Sequence, residues 1–223
     1  MNNKVLVVAP HPDDEVLGCA GTIKKLASRG DRIIVLIMTR GRKGLYSEER
    51  IRNVRQEAIN AHKVLGASGT KFFDFSAPDL DIVSQSDLSS SIAVIIKEFE
   101  IDTMYIPHRG DIHHDHKAVF SACLVAARPV GEYTVRNIYC YETLSETEWS
   151  APFSDDAFIP DRFVNITNEI SSKLEAMKSY KSQLREFPNP RSLKTIEALA
   201  TYRGSIVGFS FAEAFMTIRV IEY

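Results

Sequence analysis

Two short stretches hold the residue types that metal-assisted hydrolysis needs. The first is His11-Pro12-Asp13-Asp14-Glu15, which follows the apolar run Val5-Leu6-Val7-Val8-Ala9 and Pro10. Ionised carboxylates and an imidazole crowded at the end of a buried strand repel or desolvate one another unless a cation or substrate offsets the cost. The second is His108-Arg109-Gly110-Asp111-Ile112-His113-His114-Asp115-His116, which holds four of the six histidines in the chain. Zinc accepts neutral imidazole and carboxylate oxygen, and a catalytic zinc keeps a position for water. His11, Asp14 and one histidine of the second cluster would supply two imidazoles and a carboxylate. Asp13 adjoins a ligand yet is separate from it, as the proton acceptor for an attacking water must be.

The apolar pattern shows what must position these groups. Val5–Ala9 and Ile33–Met38 are continuous and β-branched, the mark of strands buried on both faces. Lys71–Phe75, Thr103–Ile106 and Asn137–Tyr141 are predicted as further strands. Helices are predicted over Gly21–Ser28, from an N-cap at Ser47 to Leu65, and over Asp87–Phe99 and His116–Ala127. Alternation of strand and helix predicts an α/β fold with a mostly parallel central sheet and helices on both faces. Ligands in such sheets sit beyond the carboxyl ends of strands. The first motif follows strand one and the second follows strand four, so both can reach one pocket. The last third is less regular. Residues 149–161 read as a loop able to carry substrate contacts, 171–183 and 193–202 as helices, Pro188-Asn189-Pro190 as a turn, and 215–221 as a late strand.

Composition narrows the function classes. The chain has 223 residues, 44% hydrophobic and 25% charged, with a formal net charge of −2. That suits one globular domain over 1–223 and offers no basic surplus for nucleic acid. No apolar run reaches membrane-spanning length, and the N-terminal run is too short for a secretory signal. The three cysteines, Cys19, Cys123 and Cys140, form no CxxC pair. Their sparse, odd count fits a reducing cytoplasm. A nucleotide-binding module also begins with strand, turn and helix. Here, however, the turn carries His-Pro-Asp-Asp in place of Gly-x-Gly-x-x-Gly, and its carboxylates would repel a pyrophosphate.

Ala9-Pro10-His11-Pro12-Asp13-Asp14-Glu15 with Gly18-Cys19-Ala20-Gly21 resembles the opening motif of the LmbE-like/PIG-L zinc-dependent N-deacetylases, which share a Rossmann-like three-layer fold. Asp111–His116 is similar to that family's second motif. Glu57-Ala58 through Leu65-Gly66 and Gly208–Phe215, with its Ala-Glu-Ala-Phe, resemble two weaker family segments. The resemblance implies His11, Asp14 and His116 as ligands of one Zn2+. It implies Asp13 as general base, and His113 as oxyanion stabiliser or acid with Asp115 holding its ring. The reaction would release acetate from an N-acetylglucosamine-type sugar or conjugate. An acyl amide of non-sugar or antibiotic type is the alternative substrate. Family members act on thiol-precursor glycosides, lipid-linked sugars, chitin disaccharides and antibiotic intermediates, and bacterial members are often homo-oligomers.

The chain departs from the family pattern at three places. His114 stands where proline is common and reads as a surface residue or an extra substrate contact. Val54 occupies the place of a frequent arginine, with Arg55 beside it as a substrate-binding candidate. The loop Thr39-Arg40-Gly41-Arg42-Lys43-Gly44 is unusually basic, which makes Arg42 a candidate for a phosphate- or carboxylate-bearing substrate. A plain capping turn at residues 11–14 would leave His11 and one aspartate unexplained. His62 reads as a surface or boundary residue on its helix. His108 reads equally as a satisfied strand-end histidine or a functional one, and Glu213 as core edge or support behind the site.

Overall fold

The computed structural model describes residues 3–130, 134–151 and 153–222. Seven strands form one sheet in the order β3-β2-β1-β4-β5-β7-β6. They are β1 (Lys4–Ala9), β2 (Arg32–Gly41), β3 (Gly69–Ala77), β4 (Thr103–Pro107), β5 (Asn137–Tyr141), β6 (Arg162–Asn165) and β7 (Ala212–Arg219). The first five pair in parallel, and β7 runs antiparallel to both β5 and β6. Helices α1 (Asp14–Ser28), α2 (Glu48–Leu65), α3 (Gln85–Phe99), α4 (His114–Ala126), α5 (Ile170–Ser179) and α6 (Leu193–Ile206) cover the two faces.

Two cores follow from the strand period of two. Val5, Val7 and Ala9 of β1 pack with α1, α2, α5 and α6 on one face. Leu6 and Val8 pack with α3 and α4 on the other. Chain order departs from β1 in both directions, toward β2 and toward β4, so the gap between β1 and β4 is the sheet's topological switch point. Both histidine motifs leave strands at that gap.

The helix predicted from Gly21 begins seven residues earlier, at Asp14. Asp14 and Glu15 place carboxylates in its first turn, where the helix dipole favours them. Gly18 and Gly21 lie inside the helix because neighbours press on it. A side chain on Gly18 would collide with the Tyr141 ring, and one on Gly21 would come within 2.7 Å of Ile166. Ser47 caps α2, its hydroxyl accepting the Arg50 N–H at 3.2 Å. Strand β6, which has no strong β pattern, forms as an edge partner of β7, and β7 starts three residues before the predicted strand. Helix α5 stops at Ser179, where the Tyr180 backbone leaves helical geometry with ψ 62° and its side chain is fully buried.

Candidate metal centre and active-site cleft

His11 and Asp14 leave the end of β1, and His116 sits in the first turn of α4, just after β4. Asp14 Oδ2 lies 3.4 Å from His11 Nδ1 and 3.3 Å from His116 Nε2. One ligand atom from each of the three residues lies within 4.8 Å of the others, so they can hold a metal ion together. Each histidine is held from behind by a carboxylate. His11 Nε2 meets Asp115 Oδ2 at 2.8 Å, and His116 Nδ1 meets Asp111 Oδ2 at 2.7 Å. Such backing fixes the ring and aims the other nitrogen at the metal position. Thr147 Oγ1 in turn donates to Asp111 at 2.6 Å.

The donor set fits a cation. His116 Nε2 and Asp14 Oδ1 are buried without a hydrogen-bond partner. Buried polar atoms are rarely left so. His11, His113 and Asp115 also come close enough to form a set. Asp115, however, already accepts from the Leu80 N–H at 2.9 Å while it holds His11. The orphaned atoms therefore favour His11, Asp14 and His116.

Without a cation the imidazoles serve as counterions. Burial pushes His11 down, but the hydrogen bonds its ring donates to Asp115 and Asp14 outweigh it and raise the ring to about 9. Burial likewise lowers His116, and the carboxylates of Asp14 and Asp111 lift it well above its usual value. Asp14 is held well below the usual carboxylate range by the two histidines, against its burial. A metal would replace those protons.

Asp13 is buried, with its Oδ2 3.2 Å from Arg191 Nη1. Burial raises its carboxyl to about 8, with Arg191 opposing and Asp14 and Glu15 adding to the rise. Its backbone is strained, with φ 115° and ψ −25°. A non-glycine residue in this region carries about 1–3 kcal/mol of strain and persists only where the surroundings hold it. Glu15 does so here, accepting the Asp13 N–H on Oε2 at 3.2 Å. The other oxygen of Glu15 takes the Tyr180 hydroxyl at 2.6 Å and faces His62 Nε2 at 3.0 Å. His62 Nδ1 meets Thr70 Oγ1 at 2.7 Å. His62 is therefore not a surface residue. It is 2% exposed and part of the floor under Asp13.

His113 caps α4, its Nδ1 accepting the Asp115 N–H at 3.1 Å. That contact assigns the ring proton to Nε2. Burial and the neighbouring His11 lower His113 to about 4, so the ring is neutral at neutral pH and offers one N–H. The expectation that Asp115 holds the His113 ring needs correction. The backbone N–H of Asp115 does this, while its carboxylate turns to His11.

A cavity of about 230 Å³ opens over this centre, reached by His11, Asp13 and His113. Arg55 lines it, bound to the Phe73 carbonyl at 2.9 Å and Asp74 at 2.6 Å. Two substrate-binding candidates lie elsewhere. Arg42 pairs with Asp79 at 2.9 Å outside the lining, because the loop folds it onto the β3–α3 segment. His114 is exposed at the start of α4, one position off the inward face. His108 is a satisfied strand-end histidine, with Nε2 2.9 Å from the Asp156 carbonyl, and ties the 149–161 segment to β4. Glu213 supports α1 from behind. It accepts the Gly21 and Thr22 N–H groups and pairs with Lys173.

Sequence reasoning missed Arg191 and Glu146, which both line the cavity and lie 3.7 Å apart. Arg191 follows a proline-rich turn and Glu146 precedes an irregular loop, so periodicity gave no signal. Asp111 stood within the second motif, five residues before His116 and ahead of α4, but without an assigned role.

A mostly parallel sheet with a paired histidine–carboxylate centre at its switch point defines an α/β enzyme of hydrolytic type. The sequence pattern of PIG-L, described as GlcNAc-PI de-N-acetylase, matches residues 6–127, which contain both motifs. The protein "Uncharacterized deacetylase YaiS" of Escherichia coli (strain K12) is 33% identical over 184 residues, 80% of this chain and 90% of its own length. The "Diacetylchitobiose deacetylase" of Thermococcus kodakarensis is 24% identical over 221 residues, covering 94% of this chain and 81% of its own. The solved structure of "the conserved protein TT1542" from Thermus thermophilus superposes with a TM-score of 0.80 at 25% identity, covering 99% of this chain and 97% of that one. The chain belongs to the PIG-L, or LmbE-like, family and is a deacetylase, a hydrolase of amide bonds. Among the described residues no helix is long and apolar enough to cross a membrane.

Proposed function

We propose that the protein is a zinc-dependent hydrolase that removes the N-acetyl group from an acetamido sugar or sugar conjugate. The observation that carries this reading is the pair of buried ligand atoms that make no hydrogen bond, His116 Nε2 and Asp14 Oδ1, beside two carboxylate-backed histidines. His11, Asp14 and His116 would hold the ion. Zinc bound there supplies a Lewis acid for the acyl oxygen and the attacking water. The sugar follows from the diacetylchitobiose named for one relative and the GlcNAc moiety named for the family.

The chain's own residues do the rest. Asp13 takes a proton from the attacking water as the new C–O bond forms. Burial holds the Asp13 carboxyl up to about 8 even with Arg191 against it, so its ionised, basic form would need the positive charge that a bound cation adds to that of Arg191. His113 donates its Nε2 proton as a hydrogen bond to the oxygen on which charge develops. The C–N bond then breaks, Asp13 delivers the proton to the departing amine, and acetate and a free amino sugar leave. A pyrophosphate-binding role is disfavoured because buried Asp13 and Asp14 occupy the turn where the phosphates would sit.

The three cysteines are free and buried, which supports a reducing, cytoplasmic setting. The continuous sheet supports one domain over 1–223. The test of function is metal analysis together with acetate release from a panel of N-acetylated sugars. About one zinc per chain and acetate release lost on chelation are expected. Zinc-loaded protein without acetate release from any acetamido sugar would overturn the proposal.

A further inference from the structure

Asp13 is aimed by its backbone more than by its carboxyl. Its Oδ2 makes no hydrogen bond, although Arg191 Nη1 stands 3.2 Å away as an ion-pair partner. The main chain, by contrast, is held from both sides. The Asp13 carbonyl accepts the Val16 and Leu17 N–H groups at 3.0 and 2.9 Å, which ties it to the first turn of α1. The Asp13 N–H goes to Glu15 Oε2 at 3.2 Å. Between these restraints the residue sits at φ 115°, where an L side chain is strained. Release of the N–H lets φ relax to a negative value, and that rotation carries the carboxyl with it.

Glu15 is fully buried, so its place depends on what stands behind it. Tyr180, just past α5, gives its hydroxyl to Oε1 at 2.6 Å, and His62 Nε2 of α2 lies 3.0 Å from the same oxygen. Thr70 Oγ1, on the edge strand β3, meets His62 Nδ1 at 2.7 Å. A hydroxyl both donates and accepts, so Thr70 can give its proton to Nδ1 and leave the Nε2 proton for Glu15. None of these four residues lines the cavity. An effect of theirs on turnover therefore passes through Asp13. We propose that His62 and Tyr180 are positioning residues for the reaction: through Glu15 they hold the Asp13 peptide in its strained orientation and so aim the base at the attacking water. This rests on the deacetylase reading, in which Asp13 is the base. Glu213 shows what a brace alone looks like. It accepts the N–H groups of Gly21 and Thr22, away from the cavity, whereas Glu15 accepts that of the base itself.

The test compares zinc-loaded wild type with His62→Leu, His62→Gln and Tyr180→Phe. Acetate release is measured over a range of N-acetylglucosamine concentrations, zinc per chain and thermal melting are recorded, and crystal structures of wild type and His62→Leu give the Asp13 backbone. His62→Leu keeps the bulk but offers Glu15 no proton. Its kcat should fall by about tenfold to a hundredfold, the cost of a small misplacement of a reacting group. KM should stay within about twofold, because the interaction lost acts only in the transition state. Zinc per chain should not change. His62→Gln places an amide N–H near the position of Nε2 and should bring kcat back to within about threefold of wild type. Tyr180→Phe removes one hydroxyl from the same oxygen with little change of shape, and keeps the test open if His62→Leu does not fold. Its kcat should fall by about twofold to tenfold, the worth of one hydrogen bond. A brace without a positioning role lowers the melting temperature and leaves the kcat of zinc-loaded protein alone. Unchanged kcat in both His62→Leu and Tyr180→Phe, or an equal loss in His62→Gln and His62→Leu, would overturn the proposal. Wild type that releases no acetate tells against the deacetylase reading alone. The two crystal structures then decide the positioning: a negative Asp13 φ in His62→Leu supports it, and an Asp13 unmoved from wild type overturns it.

Discussion

Helix α1 rests on two clusters of buried charge, and they differ in one respect. Under its middle, Glu213 accepts the Gly21 and Thr22 N–H groups at 2.9 and 2.7 Å and the Lys173 ammonium at 2.6 Å. Lys173 gives a further proton to the Leu17 carbonyl at 2.7 Å. Each charged atom of this clamp has a protein partner. At the first turn of the same helix, Asp14 and His116 are just as buried, yet neither Asp14 Oδ1 nor His116 Nε2 makes a hydrogen bond, although that nitrogen lies 3.3 Å from Asp14 Oδ2. Burying charge is tolerable only when its hydrogen-bonding capacity is met. A cluster that meets it internally braces the fold, and one that leaves it unmet at a cavity awaits a ligand. Residue type alone does not separate the two.

The sharpest way to break this distinction lies at the open cluster. Asp13→Asn keeps the shape of the side chain but cannot accept a proton, so acetate release should fall about 10²–10⁴-fold with zinc content unchanged. His116→Ala should instead lose the metal, and activity with it, while the fold holds. Metal analysis of both purified variants separates a base from a ligand. Full activity in Asp13→Asn would remove Asp13 from the chemistry.

The closed cluster should respond in the opposite currency. Lys173→Met leaves Glu213 buried without its cation and should lower stability by about 3–5 kcal/mol, read from denaturant unfolding. Adding Glu213→Gln should restore part of that loss, because no uncompensated charge remains. Zinc content should be unaffected in both. Loss of zinc in Lys173→Met, with folding intact, would show that the two clusters are not independent.

What could be read from the sequence follows the same division. The strands and the site-bearing turns were legible because buried parallel strands are continuous apolar runs and ionisable residues at their ends are conspicuous. The start of α1 was not, since the predicted helix begins only at Gly21, and Gly18 ahead of it is a close-approach position beneath Tyr141. Strand β6 is made by pairing with β7 and has little pattern of its own. His62 looked polar and helical, hence a surface or boundary residue. Its burial depends on Glu15 and Thr70, 47 and 8 residues away in the chain. Arg191 reaches Asp13 across 178 positions, counted as 191 minus 13, and no local pattern encodes such a meeting.

The smallest effect is also the most diagnostic, because it reads the open cluster's affinity for a cation in stability alone. In metal-free protein the folded His11 is raised to about 9 against an unfolded value near 6.5. A group raised on folding lends stability that is complete below its unfolded value and disappears as pH climbs through its folded one. His116, raised in the same direction, adds to the trend, and so does Asp13, whose carboxyl sits at about 8. Chelated protein should therefore lose stability between about pH 6.5 and 9, by at most about 3 kcal/mol for His11. Zinc needs the neutral rings, so its affinity should rise across the same window. The gap in thermal midpoint between zinc-loaded and chelated protein should widen from pH 6.5 to 9, and His116→Ala should flatten it. A gap independent of pH would mean that protons and metal do not compete for these histidines, and the open cluster would then be no metal centre.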